Sequence, residues 1–182
     1  MTSPKAKARM AGVFYLLNIV TGGLALAFAD GRSFVLSLAT LCYVVVTLLF
    51  YDLFKPVNNR LSLVAAGFSL VGCAMGMLSA FNLLAGQINL GFFGLYCLVI
   101  GMLVWRSTFL PRGLGVLMII GGLSWMTFFV PALARQLAPF NMLPGIFGET
   151  SLTLWLLTIG VNVQRWTESA TRASNSALLS AT

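Results

Sequence analysis

The 182-residue chain contains no histidine and only four acidic residues, against eleven basic ones. The absence of histidine excludes haem or zinc ligation by imidazole, histidine acid–base catalysis and histidine-based pH sensing. Charged residues make up 8% of the chain, whereas a soluble domain carries about 25%. Together with 59% hydrophobic residues and a mean hydropathy of +0.94, this composition indicates a membrane protein without a soluble catalytic domain.

Cysteine is also scarce. Cys42, Cys73 and Cys97 each lie near the middle of a separate apolar run, and none belongs to a CxxC pair. Redox and metal sites use closely spaced cysteines. We therefore interpret the three as small hydrophobic side chains and expect neither a metal nor a cofactor.

Six apolar runs are long enough to cross a membrane, which takes about 20 residues. Runs of this length predict helices, because membrane-barrel strands alternate over about 10 residues. We predict an all-α, polytopic, six-transmembrane-helix bundle over residues 1–166, followed by a polar tail, 167–182, that is flexible or a frayed helix. The predicted helices cover residues 11–29, 33–53, 61–84, 88–105, 113–134 and 144–163.

The basic residues predict the orientation. With six spans, nine of the eleven fall on the side that holds both termini, and only Arg32 and Arg135 fall on the other. Short loops rich in Lys and Arg stay in the cytoplasm, so we predict cytoplasmic termini. The net charge of +7 is then explained by orientation and anionic lipid headgroups, and no nucleic-acid partner is expected. A cleaved signal peptide ending near residue 29 is the less favoured alternative, because the apolar run is long.

Glu149 is a carboxylate within an apolar run, GIFGETSLTLWLL (145–157). The predicted threading places it about five residues inside the outer end of the sixth helix. Charged side chains in a membrane usually face protein or water. Gly145 and Thr153 share its helical stripe, which predicts a packing face. Candidate polar partners near the same depth are Asn82, Gln87, Asn89, Thr127 and Arg135.

Two interpretations of Glu149 remain open. An ion pair with Arg135 would keep the carboxylate charged, whereas burial without that partner favours the neutral acid. The carboxylate then either ties helices together or forms a proton-coupling or cation-binding site in an outward cavity. Asn18, in the middle of the first helix, similarly predicts an interhelical hydrogen bond or a ligand contact. Asp52 is predicted at the inner interface, away from Glu149, so the two acids do not suggest a catalytic pair.

Four segments carry a resemblance to a known family: KARMAGVFYLLNIVTGG (7–23), LFKPVNNRLSLVAA (53–66), FLPRGLGVLMIIGGLSW (109–125) and GETSLTLWLLTIGVN (148–162). They resemble the bacterial multi-pass membrane family catalogued as domain of unknown function 4386. The resemblance implies several membrane helices in the bacterial cytoplasmic (inner) membrane, and it implies no catalytic residue. Members of the family often have a larger outer loop after the first helix, where this chain has only ADGR (29–32).

Two classes of function are favoured by these observations. The first is an accessory or structural membrane protein that acts through helix contacts with another membrane protein or a second copy. The second is a small transporter or lipophilic-ligand-binding protein with an outward-side polar cavity around Glu149. For the second class, the candidate ligand or proton-coupling residues are Glu149, Arg135, Asn82, Thr153 and Asn18. An intramembrane enzyme is the least favoured class, because no nucleophile–base pair or metal cage is evident.

Overall fold

The computed structural model describes residues 3–27, 31–84 and 87–179, which fold entirely into helices and turns. Five helices are long and apolar enough to cross a membrane, and a sixth span results if Phe140–Thr158 and Val163–Asn175, which meet at a bend of 103°, count together. The predicted all-α polytopic fold is thereby confirmed. The helices are α1 (Pro4–Ala27), α2 (Arg32–Phe54), α3 (Asn59–Ala80), α4 (Ile88–Arg106), α5 (Arg112–Met126), α6 (Pro131–Leu137), α7 (Leu143–Thr158) and α8 (Val163–Leu179).

The predicted fifth helix, 113–134, is divided in the structure. Helix α5 ends at Met126, a 3₁₀ turn covers Thr127–Phe129, and the short helix α6 begins at Pro131. Val130, just before this proline, is extended, with φ −117° and ψ 93°. Proline disfavours helical geometry in the residue before it and suits the first position of a new helix. A second 3₁₀ turn, Phe140–Met142, then leads into α7.

The last predicted helix, 144–163, also ends earlier than expected. Helix α7 stops at Thr158, and Gly160 adopts a left-handed φ of +77°. Glycine accepts this conformation without the steric cost that a Cβ brings, which is why it terminates helices. The chain then begins α8 at Val163, and most of the segment predicted as a polar tail is helical.

Glycines allow α5 to pack closely between α4 and α7. A Cβ built on Gly122 would lie 2.7 Å from the Gly94 carbonyl oxygen, and one on Gly115 would lie 2.7 Å from the Gly101 carbonyl oxygen. The two helices therefore meet backbone to backbone at two levels, seven residues apart on each helix. On its other side, α5 meets α7, where a Cβ on Gly148 would lie 2.7 Å from the Leu117 carbonyl oxygen. Small residues at such interfaces permit the tight packing that holds helices together in lipid.

One end of the bundle collects most of the positive charge, and we call it the basic end. Lys7 at the start of α1 forms an ion pair with Asp52 at the end of α2. At the same end, the backbone N–H of Asn162 donates to the carbonyl oxygen of Phe109 in the α4–α5 turn at 3.2 Å. The segments that meet here carry Lys5, Lys7, Arg9, Lys55, Arg60, Arg106, Arg112, Arg165 and Arg172.

Candidate functional site

The carboxylate of Glu149 lies inside the bundle, on the seventh residue of α7, with the residue 8% exposed. Its Oε1 accepts a hydrogen bond from Trp125 Nε1 at 3.0 Å and a weaker one from Cys97 Sγ at 3.4 Å. Glu149 thereby links α7 to α5 and to α4. Among residues 3–27, 31–84 and 87–179, no Lys or Arg lies within ion-pair distance of this carboxylate.

Gly145 creates the space through which the Trp125 indole reaches Glu149. It lies one helical turn before Glu149, and a Cβ built on it would overlap the indole nitrogen. Trp125 is at the end of α5, and its side chain is buried. The stripe Gly145, Glu149 and Thr153, predicted as a packing face, is buried along its whole length.

The carboxylate lies at the depth of the helix midpoints. Tyr15, Tyr43 and Cys97 occupy the middle of α1, α2 and α4, and Cys97 contacts the carboxylate directly. The Tyr15 hydroxyl neighbours Glu149 and lies 3.4 Å from the Tyr43 hydroxyl. This depth is greater than the sequence suggested. The reason is that α6 and the two 3₁₀ turns occupy the outer part of the span, so that α7 begins deeper and Glu149 with it.

Two further hydroxyl groups in this layer have no hydrogen-bond partner among the described residues. They are Tyr96 Oη and Thr153 Oγ1, and both side chains are buried. Tyr96 precedes Cys97, and its ring centroid is 5.6 Å from that of Tyr43. An unsatisfied buried polar group costs about 1–3 kcal/mol, and in native proteins an ordered water or a ligand commonly satisfies it.

The predicted site residues are only partly brought together. Glu149 and Thr153 lie one turn apart in the core. Arg135 is exposed on α6, and the ion pair with Glu149 that the sequence suggested is absent from the described part of the chain. Asn82 is exposed in the turn after α3, with a left-handed φ of 57°. The half-buried side chain of Asn18 forms no hydrogen bond within residues 3–27, 31–84 and 87–179, although its carbonyl oxygen accepts one from Thr21 at 3.1 Å.

The aromatic side chains that surround Glu149 were not predicted from the sequence. Tyr and Trp are enriched at membrane interfaces, so their occurrence in the middle of predicted spans was an unused signal. The interpretation of Cys97 as a small hydrophobic residue also missed its role as a donor to Glu149. The aromatic shell consists of Tyr15, Tyr43, Tyr96 and Trp125.

Chemically, the site offers one carboxyl group, phenols, a thiol and an indole. No group of three or more Cys, Asp or Glu side chains converges as a metal cage in the part of the chain that the structure describes. Among residues 3–27, 31–84 and 87–179, no second carboxylate forms a hydrogen bond or shares an ion pair with Glu149. Such a carboxyl group can hold or release a proton, and the phenols, thiol and indole can donate hydrogen bonds.

The family model described as Domain of unknown function (DUF4386) matches residues 32–86 and 84–160, a stretch that includes Trp125 and Glu149. No curated protein and no solved structure matches the chain.

Proposed function

The chain belongs to DUF4386, a family without an assigned activity, and we propose that this integral membrane protein is a small transporter or binding protein for lipophilic ligands, with Glu149 at its centre. The observation that carries the proposal is the burial of Glu149 without a cationic partner among the described residues. An isolated charged carboxylate in an apolar interior is costly. Glu149 therefore takes up either a proton or a cation.

The aromatic shell suggests the chemical class of the ligand. The faces of Tyr and Trp rings attract cations, and they do so more strongly where water is excluded. Tyr15, Tyr43 and Trp125 belong to the buried core around the carboxylate. A lipophilic cation that displaces the proton of Glu149 would be stabilised by both the carboxylate and the rings. We therefore expect proton-coupled exchange of lipophilic cations.

The proposed location is the bacterial cytoplasmic membrane, with both termini in the cytoplasm. Support comes from the basic end, which holds nine of the eleven Lys and Arg residues. Such an excess of positive charge in short loops favours the cytoplasmic side. The bacterial origin is what the family resemblance implies.

A second candidate function is an accessory or structural membrane protein that acts through helix contacts with another membrane protein or a second copy. The observation that favours it is the pair of hydrogen bonds from Trp125 and Cys97 to Glu149, since they tie α5, α4 and α7 together. In this case the carboxyl group is a packing device, and binding of a partner uses the lipid-facing helix surfaces.

Glu149→Gln separates the two candidates, because glutamine keeps the size of the side chain and an oxygen that can accept from Trp125, but cannot release a proton. In proteoliposomes with an imposed pH gradient, we expect the wild-type chain to take up ethidium, a fluorescent lipophilic cation, and Glu149→Gln to lose this uptake. Asp52→Asn, which removes a carboxylate at the basic end, is the matched control and should retain it.

Three results would contradict the transport proposal or favour its alternative. Wild-type uptake that is independent of the pH gradient excludes proton coupling. Equal uptake by Glu149→Gln and the wild type excludes the role of the carboxylate. The third result comes from native mass spectrometry of gently extracted protein. A stoichiometric second polypeptide without a bound small molecule would support the accessory function. A bound small molecule that is lost in Glu149→Gln would support the binding site.

A further inference from the structure

Helix α8 leaves the bundle nearly at a right angle. The direction of the chain changes by 103° between α7 and α8, and Gly160, with its φ of +77°, lies in the connection. If α7 runs along the membrane normal, α8 runs roughly parallel to the membrane surface. The break lies at the basic end, beside the α4–α5 turn, because Asn162 N–H donates to the Phe109 carbonyl oxygen.

The first turn of α8 is fixed to two other parts of the bundle. Trp166 Nε1 donates to the carbonyl oxygen of Leu53 at the end of α2, at 2.9 Å. The Arg165 guanidinium donates to the carbonyl oxygen of Thr108 in the α4–α5 turn, at 3.1 Å. These contacts set α8 at the level where the helices of the bundle end. Among the other helices of the bundle, α8 packs chiefly against α1.

The two faces of α8 differ in polarity. Four apolar side chains of α8 recur at intervals of three and four residues and therefore share one face. We call this face the apolar stripe; it consists of Val163, Trp166, Ala170 and Ala173. Trp166, Ala170 and Ala173 are half-buried. The opposite face is exposed and polar, with Gln164, Glu168, Thr171 and Arg172. A helix with strong amphipathicity and low overall hydrophobicity is typical of a segment that lies in the membrane interface.

The surroundings of α8 carry the charge that such a surface requires. Nine basic residues belong to the basic end, against two acidic ones, Asp52 and Glu168. Trp105, at the end of α4 and 47% exposed, lies at this end as well. Tryptophan favours the headgroup region, and basic residues near the surface are attracted by anionic lipids.

We propose that α8 is an interfacial helix that docks on the anionic lipid surface of the membrane, with Ala170 and Ala173 of its apolar stripe toward the acyl chains, Trp166 anchored to the bundle and Arg165 among the headgroups. The partner is the bilayer itself, selected by the match between the positive basic end and negative headgroups. The inference is independent of the function proposed for Glu149, because it uses none of the residues around that site.

Spin labelling of the full chain tests the proposal. Ala170→Cys and Ala173→Cys report on the apolar stripe, and Thr171→Cys and Gln164→Cys are matched controls on the polar face. The native cysteines are all buried, so labelling of the wild-type chain gives the background. In vesicles of phosphatidylcholine with phosphatidylglycerol, we expect stripe labels to collide severalfold more with oxygen, and severalfold less with a water-soluble nickel complex, than the polar-face labels.

Lipid charge is varied with the same labelled proteins. In phosphatidylcholine alone, or at high salt, the detached population of α8 should increase about fivefold for each basic residue that loses a headgroup contact, which corresponds to about 1 kcal/mol per residue. Equal exposure of the stripe and polar-face labels to the nickel complex would overturn the proposal. Stripe labels that are protected from both reagents would overturn it too, because protein would then cover the stripe. Identical behaviour in both lipid mixtures would overturn the requirement for anionic lipid.

Discussion

The close contact between α4 and α5 predicts that Gly122→Ala destabilises the protein. The added methyl group would lie 2.7 Å from the Gly94 carbonyl oxygen and 2.8 Å from the Leu98 nitrogen, both main-chain atoms of α4. No side chain can rotate away, so the helices must separate by about 0.7 Å to reach the 3.4 Å of ordinary contact. Overpacking of this kind costs about 1–3 kcal/mol, which lowers the Tm of a chain of this size by about 2–12 °C.

The three buried cysteines supply the assay, since a thiol-reactive fluorophore reports their exposure as the protein unfolds in detergent. Gly67→Ala is the matched control, because Gly67 lies within α3 and a methyl group there meets nothing within 4 Å. Alanine is the better helix former by about 1 kcal/mol, so Gly67→Ala should leave the Tm unchanged or raise it. If Gly122→Ala is as stable as the wild type, the backbone contact between α4 and α5 is refuted. If both variants lose stability equally, packing is not the cause.

Three further substitutions test the core and the basic end in the same thiol assay. Trp125→Phe removes the indole donor to Glu149 and should lower the free energy of unfolding by about 1–3 kcal/mol. If the same loss occurs in the Glu149→Leu background, the hydrogen bond to Glu149 is not its cause. Gly145→Ala places a methyl group against the same indole, and it should destabilise at least as much as Trp125→Phe, whereas full stability would contradict the packing of Trp125 on Gly145. Asp52→Asn should cost less than about 1 kcal/mol, because the ion pair with Lys7 is partly solvated; a larger loss would mean that the pair holds the two helices together.

The helical membrane fold could be predicted because bilayer thickness dictates the length of an apolar run. The interruption around Pro131 could not, since the sequence remains apolar on both sides and a proline can kink a helix as well as end it. For α8, the sequence left two states open, a flexible tail or a frayed helix, and the amphipathicity of the helix was not predicted. Its Ser, Thr and Ala composition resembles a disordered tail, whereas its amphipathic pattern becomes evident only when Val163 and Trp166 are counted with the segment.

The candidate site was only partly predictable. Glu149 could be identified because a carboxylate within an apolar run is costly and therefore informative. Its neighbours could not, since hydropathy gives neither the rotation of a helix about its axis nor the depth at which it begins. Trp125 contacts Glu149 only because Gly145 leaves room for the indole. The suggested partner, Arg135, instead belongs to the separate helix α6 and is exposed.

Helix α5 connects the packing of the bundle to the environment of Glu149. Its glycine face contacts the α4 backbone, whereas Trp125, one turn from Gly122, donates to Glu149 on α7. Glycine contacts with a facing backbone cannot adjust through side chains. Helix α5 makes them with α4 and, through Gly148 against the Leu117 carbonyl oxygen, with α7, so the three helices should move together. A shift of α5 caused by Gly122→Ala would then also disturb the indole. The costs of Gly122→Ala and Trp125→Phe should therefore not be additive, and strict additivity in the double variant would show that the two faces of α5 act independently.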